Sequence, residues 1–340
     1  MLSEFDLIAR HFAPIAGEAG LGLLDDAALL RPPIGHDLVI TTDALAADVH
    51  FFADDPPATI GHKALAVNLS DLAAKGADPL GFVLALMLPA QKSGMRLDDD
   101  WLAAFACGLG ALAKSTACPL IGGDTVSTGG PLGLSITAFG SVPAGRMVRR
   151  SGAKPGDRLF VTGTIGDAAI GLQLRLAEKQ DKALPLSADH GHFLQERYLR
   201  PRPRNAIAAI LRDHAHAAMD ISDGFAGDLA KMLRLANVGA DVLLEDIPHS
   251  VAARAAFRHD PEFRETALTG GDDYEVLAAV PEVKAKAFAT ACLKVGLVVT
   301  QVGTVLSEQA PIRFLEADGK PRVFTTPSYV HAPKPLSTGS

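Results

Sequence analysis

Carboxylates recur along this chain in short clusters: Asp25-Asp26, Thr41-Thr42-Asp43, Asn68-Leu69-Ser70-Asp71, Gly122-Gly123-Asp124-Thr125, Asp220-Ile221-Ser222-Asp223-Gly224 and Gly270-Gly271-Asp272-Asp273. With the hydroxyl, amide and glycine residues beside them, they offer the oxygen donors that a hard cation such as magnesium takes. Magnesium is held by one or two carboxylates plus water and substrate phosphates, so carboxylates dispersed in this way point to a polyphosphate site that folding assembles. Each cluster also has a plainer role. Asp25-Asp26 suits the cap of a turn or helix. Asp71 stands four residues before Lys75, the spacing of a surface ion pair. Asp223 suits the N-cap of a helix starting at Phe225. Asp124 follows two glycines, which let backbone approach a ligand closely. Asp220 and Asp223 flank Ser222, a form that offers metal ligands and a phosphate hydrogen bond together. His50, seven residues after Asp43, either reaches the same cleft or is a half-buried polar side chain; Arg149 and Arg150 are either phosphate ligands or a solvated pair. No GxxxxGK[ST] occurs and no GxGxxG follows a strand, which excludes the P-loop and dinucleotide solutions. The pairs His190/His192 and His214/His216 lack a third ligand and read as surface residues.

The elements that must position these groups are legible from periodicity. Leu2 to Phe12 has helical spacing, and Leu38 to Thr42 is a β-branched run that places Asp43 at a strand end. On such a strand Thr41 and Asp43 share a face, and Thr42 contributes its backbone carbonyl. Thr59 to Lys75 reads as a helix closed by Gly76, with Ala64, Asn68, Asp71 and Lys75 on one stripe. Phe82 to Leu88 reads as a buried strand, Asp98 to Lys114 as a helix, Pro119 to Ile121 as a strand leading into Gly122-Gly123, and Gly133 to Val142 as another strand. A second half begins near Arg146. Strands are expected at Arg158 to Thr162 and Ala217 to Ile221, and helices at Ala168 to Glu178, Gly191 to Leu199, around Asn205 to His214, and Phe225 to Ala236. This is a mixed α/β (α+β) plan without the regular βαβ cadence of a doubly wound sheet.

At 340 residues the chain exceeds one ordinary core, so two domains are expected, 1–145 and 146–335. Its formal net charge of -7 gives no footprint for nucleic acid or an anionic membrane, and an acidic protein that handles phosphates has to recruit cations. Cys107, Cys118 and Cys292 form no CxxC and suggest neither a disulfide framework nor a zinc site. The first ten residues lack the basic start and apolar core of a signal peptide, and Phe82 to Leu88, the longest apolar run, is far short of a bilayer span. A cytoplasmic protein is expected, with a loosely ordered tail from His331 to Ser340.

Taken in order, LDDAALL (24–30), TTDALAADVHF (41–51), KALAVNLSDLAAKGADP (63–79), IGGDT (121–125), RSGAKPGD (150–157), MDISDG (219–224) and GGDDYE (270–275) resemble the thiamine-monophosphate kinase family, of the aminoimidazole ribonucleotide synthetase-like superfamily. The resemblance covers nearly the whole chain. It implies an N-terminal domain with a mixed sheet that dimerises and a C-terminal α/β domain closing a cleft over ATP. By matching position it implies magnesium ligands at Asp26, Thr41, Thr42, Asp43, Asp71, Asp124, Asp220 and Asp223. ATP contacts are implied at Gly123, Asp124, Arg150 and Ser222, and thiamine-phosphate contacts at His50, Asp272 and Tyr329. The activity implied is direct in-line transfer of the ATP γ-phosphoryl group to thiamine monophosphate, with several magnesium ions and no covalent enzyme intermediate. The alternatives are an ATP-dependent enzyme of the superfamily with another acceptor, or a non-catalytic protein binding nucleotide or thiamine phosphate. Two positions depart from the family pattern: Asp272 stands where Glu is usual, and Ala106 where some members carry an aromatic beside the nucleotide.

Overall fold

Apolar and β-branched runs in the first half form four strands, β1 (His36–Ala46), β2 (Asp78–Pro89), β3 (Leu120–Thr128) and β4 (Gly133–Pro143), in a computed structural model that describes residues 4–89, 97–182 and 184–329. They assemble in the order β1-β4-β2-β3; β2 and β3 run parallel and the other pairs antiparallel. Preceding them, α1 (Glu4–Leu7) runs into a wider π-turn at Ile8–Phe12, so the expected first helix exists in part, and its first residues lie outside those described. Helices α2 (Pro57–Ala74) and α3 (Asp99–Ser115) are joined to the strands in sequence and cover one face of the sheet. Asp98 caps α3 by accepting the Trp101 N–H at 3.0 Å.

Strand alternation sorts this sheet into two unlike faces. Val39, Leu45, Phe82, Leu84, Leu86, Leu134 and Ile136 are buried beneath the helices. On the opposite face Leu38, Ile40 and Val126 are exposed, and by alternation Thr42, Ala44, Ala85 and Asp124 lie with them.

α2 is buried along nearly its whole length because it lies between this sheet and the second half of the chain. Its end is a Schellman turn. Gly76 adopts φ +70, its N–H donates to the Ala73 carbonyl, and Ala77 N–H donates to the Leu72 carbonyl at 2.8 Å. The stripe of Ala64, Asn68, Asp71 and Lys75 therefore faces protein and not solvent, which overturns the surface ion-pair role for Asp71.

The second half builds a seven-stranded sheet from β5 (Arg158–Thr162), β6 (Ala217–Ile221), β7 (Val238–Leu243), β8 (Glu275–Val280), β9 (Val299–Glu308), β10 (Ile312–Leu315) and β11 (Pro321–Arg322). The order is β11-β10-β7-β9-β5-β8-β6, with only the β10–β7 pair parallel. Its helices are α4 (Asp167–Glu178), α5 (Ala188–Leu199), α6 (Ala208–His214), α7 (Phe225–Leu235), α8 (Val251–His259), α9 (Phe263–Thr269) and α10 (Glu282–Lys294). Among the described residues, core packing crosses between the halves at Ala74 of α2, which packs with Phe160 and Phe288, and at Tyr274, which packs in the core of the first sheet. Backbone acceptors of one half are also met by side chains of the other. Asn205 Nδ2 donates to the Leu69 carbonyl, Lys75 Nζ to that of Ala218 at 2.7 Å, and Arg212 to that of Gly76.

Several strand boundaries differ from the sequence expectation, and β2 begins at Asp78, ahead of Phe82. β1 continues to Ala46, so Asp43 lies within a strand and not at its end. β3 runs through Gly122-Gly123-Asp124, because the glycines serve the sheet: a Cβ on Gly123 would sit 2.1 Å from the Leu84 carbonyl oxygen. The tail from 331 to 340, expected to be loosely ordered, lies outside the described residues.

Candidate active site

Three elements bring carboxylates to one cavity of about 380 Å³ between the two sheets. β1 contributes Asp43, α2 contributes Asp71, and β6 with the turn after it contributes Asp220, Ser222 and Asp223. His50, Arg150, Asp272 and Tyr329 line the same cavity. Thr41 shares the inner face of β1 with Asp43, as alternation requires, and its hydroxyl donates to Asp71 Oδ2 at 2.5 Å. Thr42 points to the other face, where its hydroxyl donates to the Ile136 carbonyl and accepts from Thr137.

The charges in this cavity are poorly compensated. Burial, then the nearby Asp71 and Asp223, push the Asp43 carboxyl up to about 6. Burial raises that of Asp220 as well, with Asp71 the next cause and Ser70 opposing it. Lys75 sits near Asp220 and Asp71, and burial followed by repulsion from Arg150 lowers its ammonium to about 8. Carboxylates held together in this state are short of positive charge, and their donor set fits a divalent cation such as magnesium, which needs few protein oxygens when phosphates complete its shell. Among the described residues no three acidic, histidine or cysteine side chains already converge as a finished metal shell.

Asp223 is not a helix cap. Gly224 occupies the N-cap position of α7 with no side-chain hydrogen bond, and Asp228 reaches back instead to accept the N–H groups of Ser222 and Asp223 at 3.0 and 2.9 Å. Asp223 pairs with Lys231, whose Nζ lies 2.6 Å from its Oδ2 and 2.9 Å from Asp228 Oδ1.

Four residues after the paired glycines of Gly270-Gly271 look alike in sequence and separate in space. Asp272 lines the cavity, with φ +74 and its N–H donating to the Ser222 carbonyl at 2.9 Å. Asp273 is buried and accepts the N–H groups of Gly166 and Ala168, capping α4. Tyr274 is buried, and burial followed by Asp272 raises its phenol far above the usual range. Glu275 is fully buried and holds Arg197, Arg204 and the Thr162 hydroxyl.

Asp26, Gly123 and Asp124 are elsewhere. They line a second cavity of about 400 Å³ at the β3 edge, with Phe12 and Leu23. Asp26 is exposed in a turn, its N–H bonded to Asp25, and caps no helix. Asp43 and Gly123 lie on one register row through Ile136 and Leu84, so three strand spacings, roughly 14 Å, separate them. Asp124 is also on the opposite face from Asp43. Ala106 is buried in the first core, so this position offers no stacking surface for a base.

Of the remaining candidates, Arg150 borders the acidic cavity and an adjoining one of about 590 Å³ that Lys75 and Arg149 also line. Tyr329 is joined to Asp223 by backbone, N–H to carbonyl at 3.0 Å. His50 Nδ1 accepts the Ala46 N–H at 3.1 Å. His214 bonds the Ile210 carbonyl of its own helix, and His216 pairs with Asp157. Lys63, Lys231 and Asp228 were missed in the sequence. Lys63 had a signal: it stands two turns before Asp71 on the same helix face, a charge inside an otherwise apolar stretch.

Comparison with known proteins follows the same division. Residues 24–142 match the model of AIR synthase related protein, N-terminal domain, and residues 154–315 that of its C-terminal domain. Thiamine-monophosphate kinase of Salmonella typhimurium is 42% identical over 98% of this chain and 99% of its own. A crystal structure of thiamine-monophosphate kinase from Stenotrophomonas maltophilia K279a is 39% identical with a TM-score of 0.78, over 88% of this chain and 91% of that one. The structure of AaThiL complexed with AMPPCP and TMP is 29% identical with a TM-score of 0.75, over 97% of each chain.

Proposed function

The chain belongs to the thiamine-monophosphate kinase family, and from that premise we propose how its two cavities divide the work. It is an enzyme that phosphorylates thiamine monophosphate to thiamine diphosphate with ATP. The observation that carries the site assignment is the convergence of Asp43, Asp71, Asp220 and Asp223 on one cavity, where burial and neighbouring carboxylates push the carboxyls of Asp43 and Asp220 upward.

In this reading Asp43, Asp71, Asp220 and Asp223, with Thr41 and the backbone of Thr42, hold magnesium. Bound there, magnesium neutralises phosphate charge and fixes in-line geometry. Ser222 and Arg150 meet the nucleotide phosphates, with Lys75 and Arg149 extending the positive wall of the adjoining cavity. His50, with Nδ1 occupied by Ala46, carries its proton on Nε2 and presents a donor to the acceptor phosphate, and Asp272 and Tyr329 border the rest of thiamine phosphate. The acceptor oxygen is already anionic near neutral pH, so no general base is required, and positioning carries the rate. The functional domains are 1–145 and 146–335. Three unpaired thiols, Cys107, Cys118 and Cys292, suit a reducing cytoplasm.

The remaining ligands, Asp26, Gly123 and Asp124, are best explained by a homodimer. The uncovered face of the first sheet carries Leu38, Ile40 and Val126 exposed, and Leu24 and Ile34 of the preceding segment are fully exposed. Apposing two such faces buries them and moves the β3 edge of one protomer toward the β1 edge of its partner. Incubation with ATP, magnesium and thiamine monophosphate, resolving ADP and thiamine diphosphate by chromatography, tests the whole scheme. Stoichiometric formation of both products is expected; ADP without thiamine diphosphate would move the acceptor to another class.

A further inference from the structure

Lys63 is a buried cation for which the scheme above has no use. Its side chain is 3% exposed, it does not line the cavity, and it stands on α2 in register with Val67 and Asp71, which do. Its Nζ donates to Asp272 Oδ2 at 3.0 Å and lies 3.9 Å from the centroid of the Tyr198 ring. The pair crosses from the first half of the chain to the second. Asp272 is thereby held by its backbone N–H on the Ser222 carbonyl and by its carboxylate on Lys63, with the Tyr274 side chain also bonded to it, while that carboxylate stays partly open to the cavity.

A lone aspartate at a cavity wall rotates about χ1 and carries a full negative charge. Paired from behind with a buried ammonium, it becomes an aimed acceptor held in one direction. We infer that Lys63 is a positioning residue for the phosphate acceptor: the Lys63–Asp272 pair, backed by Tyr198, sets the orientation in which the Asp272 carboxylate meets the cationic ring of thiamine monophosphate. The inference rests on the acceptor assigned above.

The test is a cycle of Lys63→Met, Asp272→Asn and the double variant in the full chain, with KM measured separately for thiamine monophosphate and ATP. Lys63→Met raises KM for thiamine monophosphate about tenfold or more, leaves KM for ATP within about twofold, and the double variant is no worse than Asp272→Asn alone. Should Lys63→Met fold poorly, Tyr198→Leu removes the ring face but keeps the ion pair, and it gives a smaller rise in the same KM. An unchanged KM for thiamine monophosphate, an equal rise for both substrates, or effects that multiply in the double variant overturn the inference. A wild-type chain that turns over ATP with no thiamine phosphate acceptor overturns the functional reading beneath it, a failure separable from the others.

Discussion

The acid cluster of β1, α2 and β6 and the acidic stretch from Asp272 to Glu275 are built from the same side chains and are opposites physically. Asp273 and Glu275 are fully buried and hydrogen-bonded, one by two backbone N–H groups and the other by two arginines and a hydroxyl, although burial still pushes the Asp273 carboxyl upward against those N–H groups. Asp43 and Asp220 are pushed upward by burial and then by Asp71, which stands near both. A carboxylate whose charge is answered by the fold holds the fold together; one whose charge is left unanswered marks where a cation from outside belongs. Only Asp272, between the two regions, has a foot in each.

The contrast breaks most visibly under neutralising substitutions. Asp43→Asn lowers turnover by about three orders of magnitude while the melting temperature holds or rises, because a repelling charge leaves the cluster. Glu275→Gln does the reverse: it strands Arg197 and Arg204 in the interior and costs about 3–5 kcal/mol of stability. Kinetics beside calorimetric or denaturant unfolding read both, and equal destabilisation by the two variants would erase the distinction.

Stability against pH sharpens it. The Asp43 pKa is raised on folding from about 3.8 to about 6, so without divalent cation its charged form is disfavoured in the native state. Its stability contribution is most favourable at low pH and declines as pH rises through that window. Magnesium is expected to reverse the decline, raising the melting temperature more at pH 8 than at pH 5; equal gains at both would argue that the cation binds elsewhere.

A smaller effect is expected at Lys231, which occupies Asp223 where the scheme needs a metal. Lys231→Met should tighten magnesium binding a few-fold, on the order of 1 kcal/mol, read as a leftward shift in a thermal-shift titration. Asp318→Asn, in the turn between β10 and β11 and outside both cavities, should leave that titration unchanged.

Much of the architecture was legible because it is written in local periodicity. Arg158 to Thr162 and Ala217 to Ile221 are strands at the expected residues, and Gly76 ends α2 for the expected reason, a left-handed residue that only glycine adopts cheaply. Even the sharing of one face by Thr41 and Asp43 follows from a period of two. The length of β1, by contrast, was set by its partner: it continues past Asp43 because β4 supplies hydrogen bonds as far as Gly133.

What residue types and order determined alone was the inventory: acidic clusters beside hydroxyls and glycines, in the wording of one family. Tertiary structure decided which acids are functional and where each stands. It answered Asp273 with a helix end and Glu275 with arginines, placed Asp71 against Thr41 in place of Lys75, and separated Asp124 from Asp43 by the width of a sheet. No local pattern contains these outcomes, because a carboxylate's energy depends on the charges and donors that distant elements bring to it, and those are known only once the chain has closed on itself.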